Sequence, residues 1–350
     1  MSSFTKQQIS SLLLLCLLAP ITTLARIHNS VVADKALPQS QANARRVFAV
    51  HISPLMHLYY LVRKHASAKD TKPVAIVGFD EAVDAARQLD QAFGGPMSGA
   101  WGLLDLQLTG CSNSAEALEA FSRLPEAVRG GKIPVREGAV RLGRAMSVIE
   151  QPFLKTMWPQ RKAILEKNLA HVNEVLEPKA ETSLAFIAKH LRLGEIPPSP
   201  FEFYLVTDAP DPGSITYFLL GGRRISVVGL SANGDAALFT AMLFEATHVL
   251  RYITTKGNVL TELAELSQKA GIKEDTSQNM LNTLIFVQGA ETVQRITSPS
   301  SSKASKSQSA GTRFPHTTIV MPIWTRYLDG KLSSEEALAQ IVDGFRKVNQ

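Results

Sequence analysis

Apolar residues recur at helical spacing through most of the first half of the chain. Leu55, Leu58, Tyr59, Leu61 and Val62 lie on one face, which predicts a helix over 54–67. Pro54 suits its first turn, where a missing N–H costs nothing. The same spacing predicts helices over 80–93, 114–124 and 137–149. A long charged amphipathic stretch runs over 158–192, with a break expected at Pro178. Residues 101–108 fit helix or strand. Val47-Phe48-Ala49-Val50 is a short β-like run that ends at His51.

The pattern changes after Ile196-Pro197-Pro198-Ser199-Pro200, a stiff linker in which the prolines favour extended backbone. Residues 201–207 alternate and are rich in aromatics, which predicts a strand. Two more strands are expected over 215–220 and 223–230, joined by a turn at Gly221-Gly222. The polar segment from Ser231 to Asp235 then leads into a helix over 235–254. Further helices are expected over 276–296 and 333–348, the last capped by Ser333 or Ser334 with Glu336 nearby. Residues 297–313 are rich in Ser and Lys with almost no apolar side chain, the composition of a disordered loop. Together these elements predict an α+β fold, mostly helical, with a small antiparallel sheet beside the 235–254 helix. A mainly helical region spans 45–195, and the sheet with its helix belongs to 200–350.

The amino terminus reads as an address. Lys6 precedes an unbroken apolar run from Leu12 to Ala19, and Thr23-Leu24-Ala25 ends in small residues. A charged start, a short apolar core and a small-residue exit are the parts of a cleavable secretory signal, here 1–25, followed by a flexible leader over 26–44. The apolar run is short of the roughly 20 residues that span a bilayer. The expectation is an exported chain, periplasmic or extracellular, with no stable membrane anchor once the signal is cleaved.

Composition narrows the classes. Apolar residues make up 45% of the chain, enough for a real core, and charged residues 19%. The formal charge of +6 is spread along the sequence, with no basic stripe interleaved with aromatics, so nucleic acid is not an expected partner. Of the two cysteines, Cys16 lies in the signal, which leaves Cys111 alone and no intrachain disulfide. The bland reading of Cys111, a buried inert thiol, outweighs a nucleophile. His51, His57 and His65 lie close in sequence and are candidates for a metal site, although no Cys, Asp or Glu accompanies them at ligand spacing, and ordinary core or surface histidines are the plainer reading.

The helix over 235–254 carries the most chemistry. It is apolar nearly all round, and Glu245 and His248 are its two strongly polar side chains within the buried run. They are three residues apart and share a face. Burying both costs several kcal/mol unless they are paired, bound to metal or facing a cleft. Three readings stay open: an internal hydrogen-bonded pair, the remnant of a metal site, and a working one.

The segment Phe244-Glu245-Ala246-Thr247-His248 resembles the His-Glu-x-x-His motif of zinc peptidases, with phenylalanine in place of the first histidine. Leu55 to Lys64, Leu284 to Glu291 and Trp324 to Gly330 add to a resemblance to exported bacterial zincin-like proteins of the gluzincin type. That resemblance implies His248 and Glu291 as zinc ligands and Glu245 as the base that activates a zinc-bound water. Glu291 also reads as an ordinary helix residue paired with Arg295. A catalytic zinc takes three protein ligands plus water, and Phe244 cannot coordinate. The expectation is therefore a catalytically impaired metallopeptidase homologue, a pseudoenzyme, with a peptide- or protein-binding role. The alternatives are an active zinc-dependent hydrolase using Glu245, His248 and Glu291, and a structural or interaction protein with no metal.

Overall fold

The computed structural model describes residues 45–68, 72–95, 98–128, 133–209, 214–218, 224–230, 234–254, 256–297, 314 and 316–348. The expected signal 1–25, the leader 26–44, the Gly221-Gly222 turn and nearly all of the loop 297–313 lie outside them.

In chain order the elements are β1 (Phe48–His51), α1 (Pro54–Ser67), α2 (Phe79–Phe93), α3 (Trp101–Leu108), α4 (Ser114–Ser122), β2 (Ala127–Val128), β3 (Ile133–Pro134), α5 (Arg136–Thr156), α6 (Trp158–His171), a π-helical turn (Val172–Leu176), α7 (Glu177–Leu191), β4 (Phe201–Val206), β5 (Ser214–Phe218), β6 (Arg224–Gly229), α8 (Asp235–Ile253), α9 (Val259–Lys269), α10 (Glu274–Thr297), α11 (Thr317–Leu328) and α12 (Ser334–Val348). The fold is α+β and mostly helical. No helix among the described residues is long and apolar enough to cross a membrane.

Local signals explain most boundaries. Ser53 caps α1 by accepting from Met56 N at 3.2 Å, and Pro54 sits in its first turn. The end of α2 is closed by Gly94 in the left-handed region, φ 83°. At α12 the capping box is complete: Glu336 N–H donates to Ser333 Oγ at 3.1 Å, and Ser333 N–H donates to Glu336 Oε2 at 2.8 Å. The break expected at Pro178 is instead a π-helical turn. Glu177 N–H reaches back to Val172 O, so the helical path widens just ahead of the proline and α6 runs on into α7.

The sheet has order β1-β4-β6-β5. β5 and β6 form the expected antiparallel pair, but β1 pairs with β4 and β4 with β6 in parallel, so the sheet as a whole is mixed. Register places Phe48 opposite Phe201 and Tyr204 opposite Val227. The sheet is a middle layer with a core on each face. Phe48, Phe201, Phe203, Leu205 and Val228 point into one core with α7, α8, α10, α11 and α12. Val206, Tyr217, Ile225 and Val227 point into the other with α1 to α5. Trp158, at the start of α6, packs against both, so the cores change over there and not at the proline-rich segment.

The α1–α5 core encloses a charged pair. Arg63 Nη1 lies 3.4 Å from Asp105 Oδ1, Tyr60 donates to Asp105 Oδ2 at 2.6 Å, and the guanidinium lies 4.2 Å from the Trp101 ring centre. Burial pushes the Asp105 carboxyl up, and Arg63 with the Tyr60 hydroxyl opposes it. The pair joins α1 to α3 within this core.

Candidate functional site

α8 starts at Asp235, an acid placed at the positive end of the helix, after Gly234 at φ 81°. Its apolar residues are buried nearly all round, as expected. Thr240 and Thr247 satisfy their hydroxyls on the carbonyls of Ala236 and Leu243, at 2.7 and 2.6 Å. Glu245 is 2% exposed, and His248 is partly exposed on the side where the Phe244 ring meets the imidazole edge-on at 4.6 Å.

The partner helix is α10. A Cβ at Gly289 would stand 3.6 Å from Thr240 O and 3.9 Å from Leu243 Cβ. Phe314 lies 5.5 Å from Phe244 and 4.7 Å from Phe286. Gly289 of α10 thus faces Thr240 and Leu243 of α8.

Glu291 is committed elsewhere. Arg295 Nε donates to its Oε2 at 3.2 Å, and Thr325 of α11 donates to its Oε1 at 2.8 Å. Beside it the buried Gln288 accepts from Trp324 Nε1 at 2.8 Å and donates to Thr292 at 3.1 Å. This is a polar seam that ties α10 to α11. His248 is not among the hydrogen-bond partners of Glu291, which are Arg295 and Thr325. Among the described residues no group of three His, Cys, Asp or Glu is placed to hold a metal ion. Phe244 presents no donor atom at the place of the motif's first histidine.

The three histidines of the first region also part company. His51 faces outward from β1, 2.5 Å from Glu202. His65 packs its ring on Phe79 at 5.1 Å. Cys111 is half-buried, its thiol turned to Gln107 O and pushed up by burial. His57 alone enters a polar cluster, and its members were not singled out by any motif.

That cluster lies at the carboxyl edge of the parallel strands. β1 leads into α1, which packs on one face of the sheet, while β6 is followed by α8 on the other. Thr207 and Asp208 follow β4 directly, His57 comes from α1, and Arg161 comes from α6. Arg161 Nη1 donates to Thr207 Oγ1 at 2.7 Å and to His57 Nε2 at 2.9 Å, and it pairs with Asp208. Thr207 Oγ1 lies 2.8 Å from Asp208 Oδ2, and Lys64 Nζ 2.9 Å from Asp208 Oδ1. Further along α6, His171 stands 3.2 Å from Asp235 at the start of α8, so α6 runs over this edge from one core to the other.

Burial, with Arg161 beside it, pulls the His57 pKa down to about 3. The ring is neutral. Arg161 has only protons to give, so Nε2 accepts and Nδ1 carries the proton. That Nδ1 is buried with no hydrogen-bond partner among the described residues. The signal that marks this site is the polar Thr207-Asp208 pair immediately after a strand, which gains meaning only once β4 is known to run parallel to its neighbours. No family model, no curated protein and no solved structure matches this chain, so the likeness to zincins stands on the motif residues alone.

Proposed function

We propose that this chain is an exported zincin-like pseudoenzyme: it keeps a buried helix of the zinc-peptidase type, holds no catalytic zinc there, and serves to bind a peptide or protein. The observation that carries this reading is the engagement of both Glu291 oxygens by Arg295 and Thr325. A carboxylate that joins α10 to α11 in this way reads as a structural group, since a metal would compete with its bonds from Arg295 and Thr325. Phe244 supports the same reading, because its ring fills the position of the missing ligand and packs on His248 and Phe314. A binding role draws support from β5, which among the described strands is an edge strand, the place at which an extended peptide adds to a sheet.

Zinc analysis of the purified chain, alone and as Phe244→His, tests this. The proposal expects stoichiometric zinc in neither form. Zinc in the natural chain would overturn it. Zinc in the variant alone would show an otherwise intact ligand set and would overturn the structural role given to Glu291.

A further inference from the structure

We propose that Arg45-Arg46 is a processing site: an arginine-specific endopeptidase cuts the bond between Arg46 and Val47, and the carboxylate of Glu177 then holds the new amino terminus of Val47. The inference is independent of the zincin reading, which concerns α8 and α10. The step is a hydrolysis. Water adds across the peptide bond, Arg46 is left with a carboxylate, and the Val47 amine takes a proton to become an ammonium at neutral pH.

The first observation is the place of the cut. Arg45 and Arg46 are both exposed and lie directly ahead of β1. An arginine side chain is the handle that an acidic specificity pocket takes. Arg46–Gln350 forms one compact unit, and every described element starts at Phe48 or later, so a cut here removes none of the fold. β1 is four residues long, stands at one end of the described sheet and pairs with β4 alone. Lifting its first residues is a local opening of the kind that exposes a scissile bond to a protease.

The second is a receptor already in place. Val47 N lies 2.5 Å from Glu177 Oε1, and Phe48 N lies 3.0 Å from Glu177 Oε2. The atom that becomes the ammonium nitrogen therefore sits at ion-pair distance from a carboxylate before the cut. The Val47 and Phe48 side chains are buried in the core beneath, which returns the new terminus to the same position.

The third is charge. Glu177 is half-buried at the start of α7. Burial pushes its carboxyl up, and the N–H groups of Val47 and Phe48, then Arg46, oppose that rise. Arg46 is exposed, so its attraction is screened by solvent. Glu174, Lys179 and Glu181, the charged neighbours along the same helical path, form no ion pair with Glu177 among the described residues. The cut removes Arg46 and sets a full positive charge in direct contact instead, and a charged donor bonds a carboxylate more strongly than a neutral amide does.

Amino-terminal sequencing of the chain recovered from the cells that naturally make it should read Val47 first. A first residue at 26 would fit signal cleavage alone and overturn the proposal, as would any other start. Thermal unfolding tests the capture, in the intact chain and in a chain that begins at Val47, each with and without Glu177→Gln. The glutamine keeps an acceptor oxygen for the backbone N–H groups, and circular dichroism checks each fold. Pairing raises the ammonium pKa above its ordinary value of about 8, so its contribution is present at about pH 7 and lost as pH rises to about 10. At about pH 7, Glu177→Gln should lower the midpoint roughly 2–4 °C more in the chain that begins at Val47 than in the intact chain. At about pH 10 the two losses should be equal. Acetylation of the Val47 amine, with Glu177 untouched, should also abolish the pH-dependent difference. Equal losses at about pH 7, a difference that persists at about pH 10, or no effect of acetylation would overturn the capture by Glu177.

Discussion

A neutral imidazole at His57 makes the stability of this protein sensitive to mild acid. The native pKa, near 3, is below the ordinary value of 6.5, so the unfolded chain takes up a proton between these limits and the native chain does not. Stability from this group is complete above about pH 6.5 and falls as pH drops toward 3, by up to about 1.4 kcal/mol per unit. His65 and His190 are also lowered by burial and add to the slope in the same direction. Urea unfolding at about pH 6.5 and about pH 4.5, in the natural chain and in His57→Gln, isolates the His57 share. The natural chain should lose about 1–2 kcal/mol more than the variant over that interval. Parallel losses in the two would contradict the placement of His57. None of this was legible in sequence, because Arg161 and Thr207 stand 104 and 150 residues from His57. Glu291 shows the converse. The pairing with Arg295 is one helical turn long and could be read from spacing, whereas the Thr325 bond crosses to another helix.

Elements were legible where capping and periodicity agreed. α1 takes the expected bounds, Pro54–Ser67, and the capping box at Ser333 and Glu336 forms as expected. Residues 101–108, which fit either state, are helix α3. α9 and α11 were not foreseen. α9 is short, and α11 carries Pro322 in its interior, which masks a helical pattern. Two glycines set how closely elements approach, and they should respond oppositely to the same change. At Gly289 a Cβ would make ordinary contacts with Thr240 and Leu243, from 3.6 Å outward. Gly289→Ala should therefore stabilise by roughly 0.5–1 kcal/mol through the helix interior. At Gly102 a Cβ would stand 2.8 Å from the Tyr217 ring. Gly102→Ala must push Tyr217 away from Arg63 and should cost about 1–3 kcal/mol. Thermal unfolding of the two variants checks both signs, and equal shifts would rule out the close approach of α3 to β5.

At the scale of the molecule, the sequence showed a mostly helical α+β chain with a late hairpin, and the structure has both. It did not show the parallel pairing of β1 with β4, since strands so far apart in sequence carry no local mark of their partner. That pairing creates the three-layer arrangement, with a helical core on each face of the sheet, and it brings Thr207 and Asp208 beside α1 and α6. It also separates two kinds of polar site. The α8–α10–α11 seam is buried, and the cluster at the end of β4 is partly exposed.

The central proposal is that α8 serves no metal. A ligand that binds only the native state raises the unfolding temperature by mass action, so the most direct measurement is the unfolding midpoint of the intact chain in excess zinc against chelator. The predicted result is two coincident transitions. A midpoint raised by zinc, and returned to the chelator value by either His248→Ala or Glu291→Gln, would contradict it.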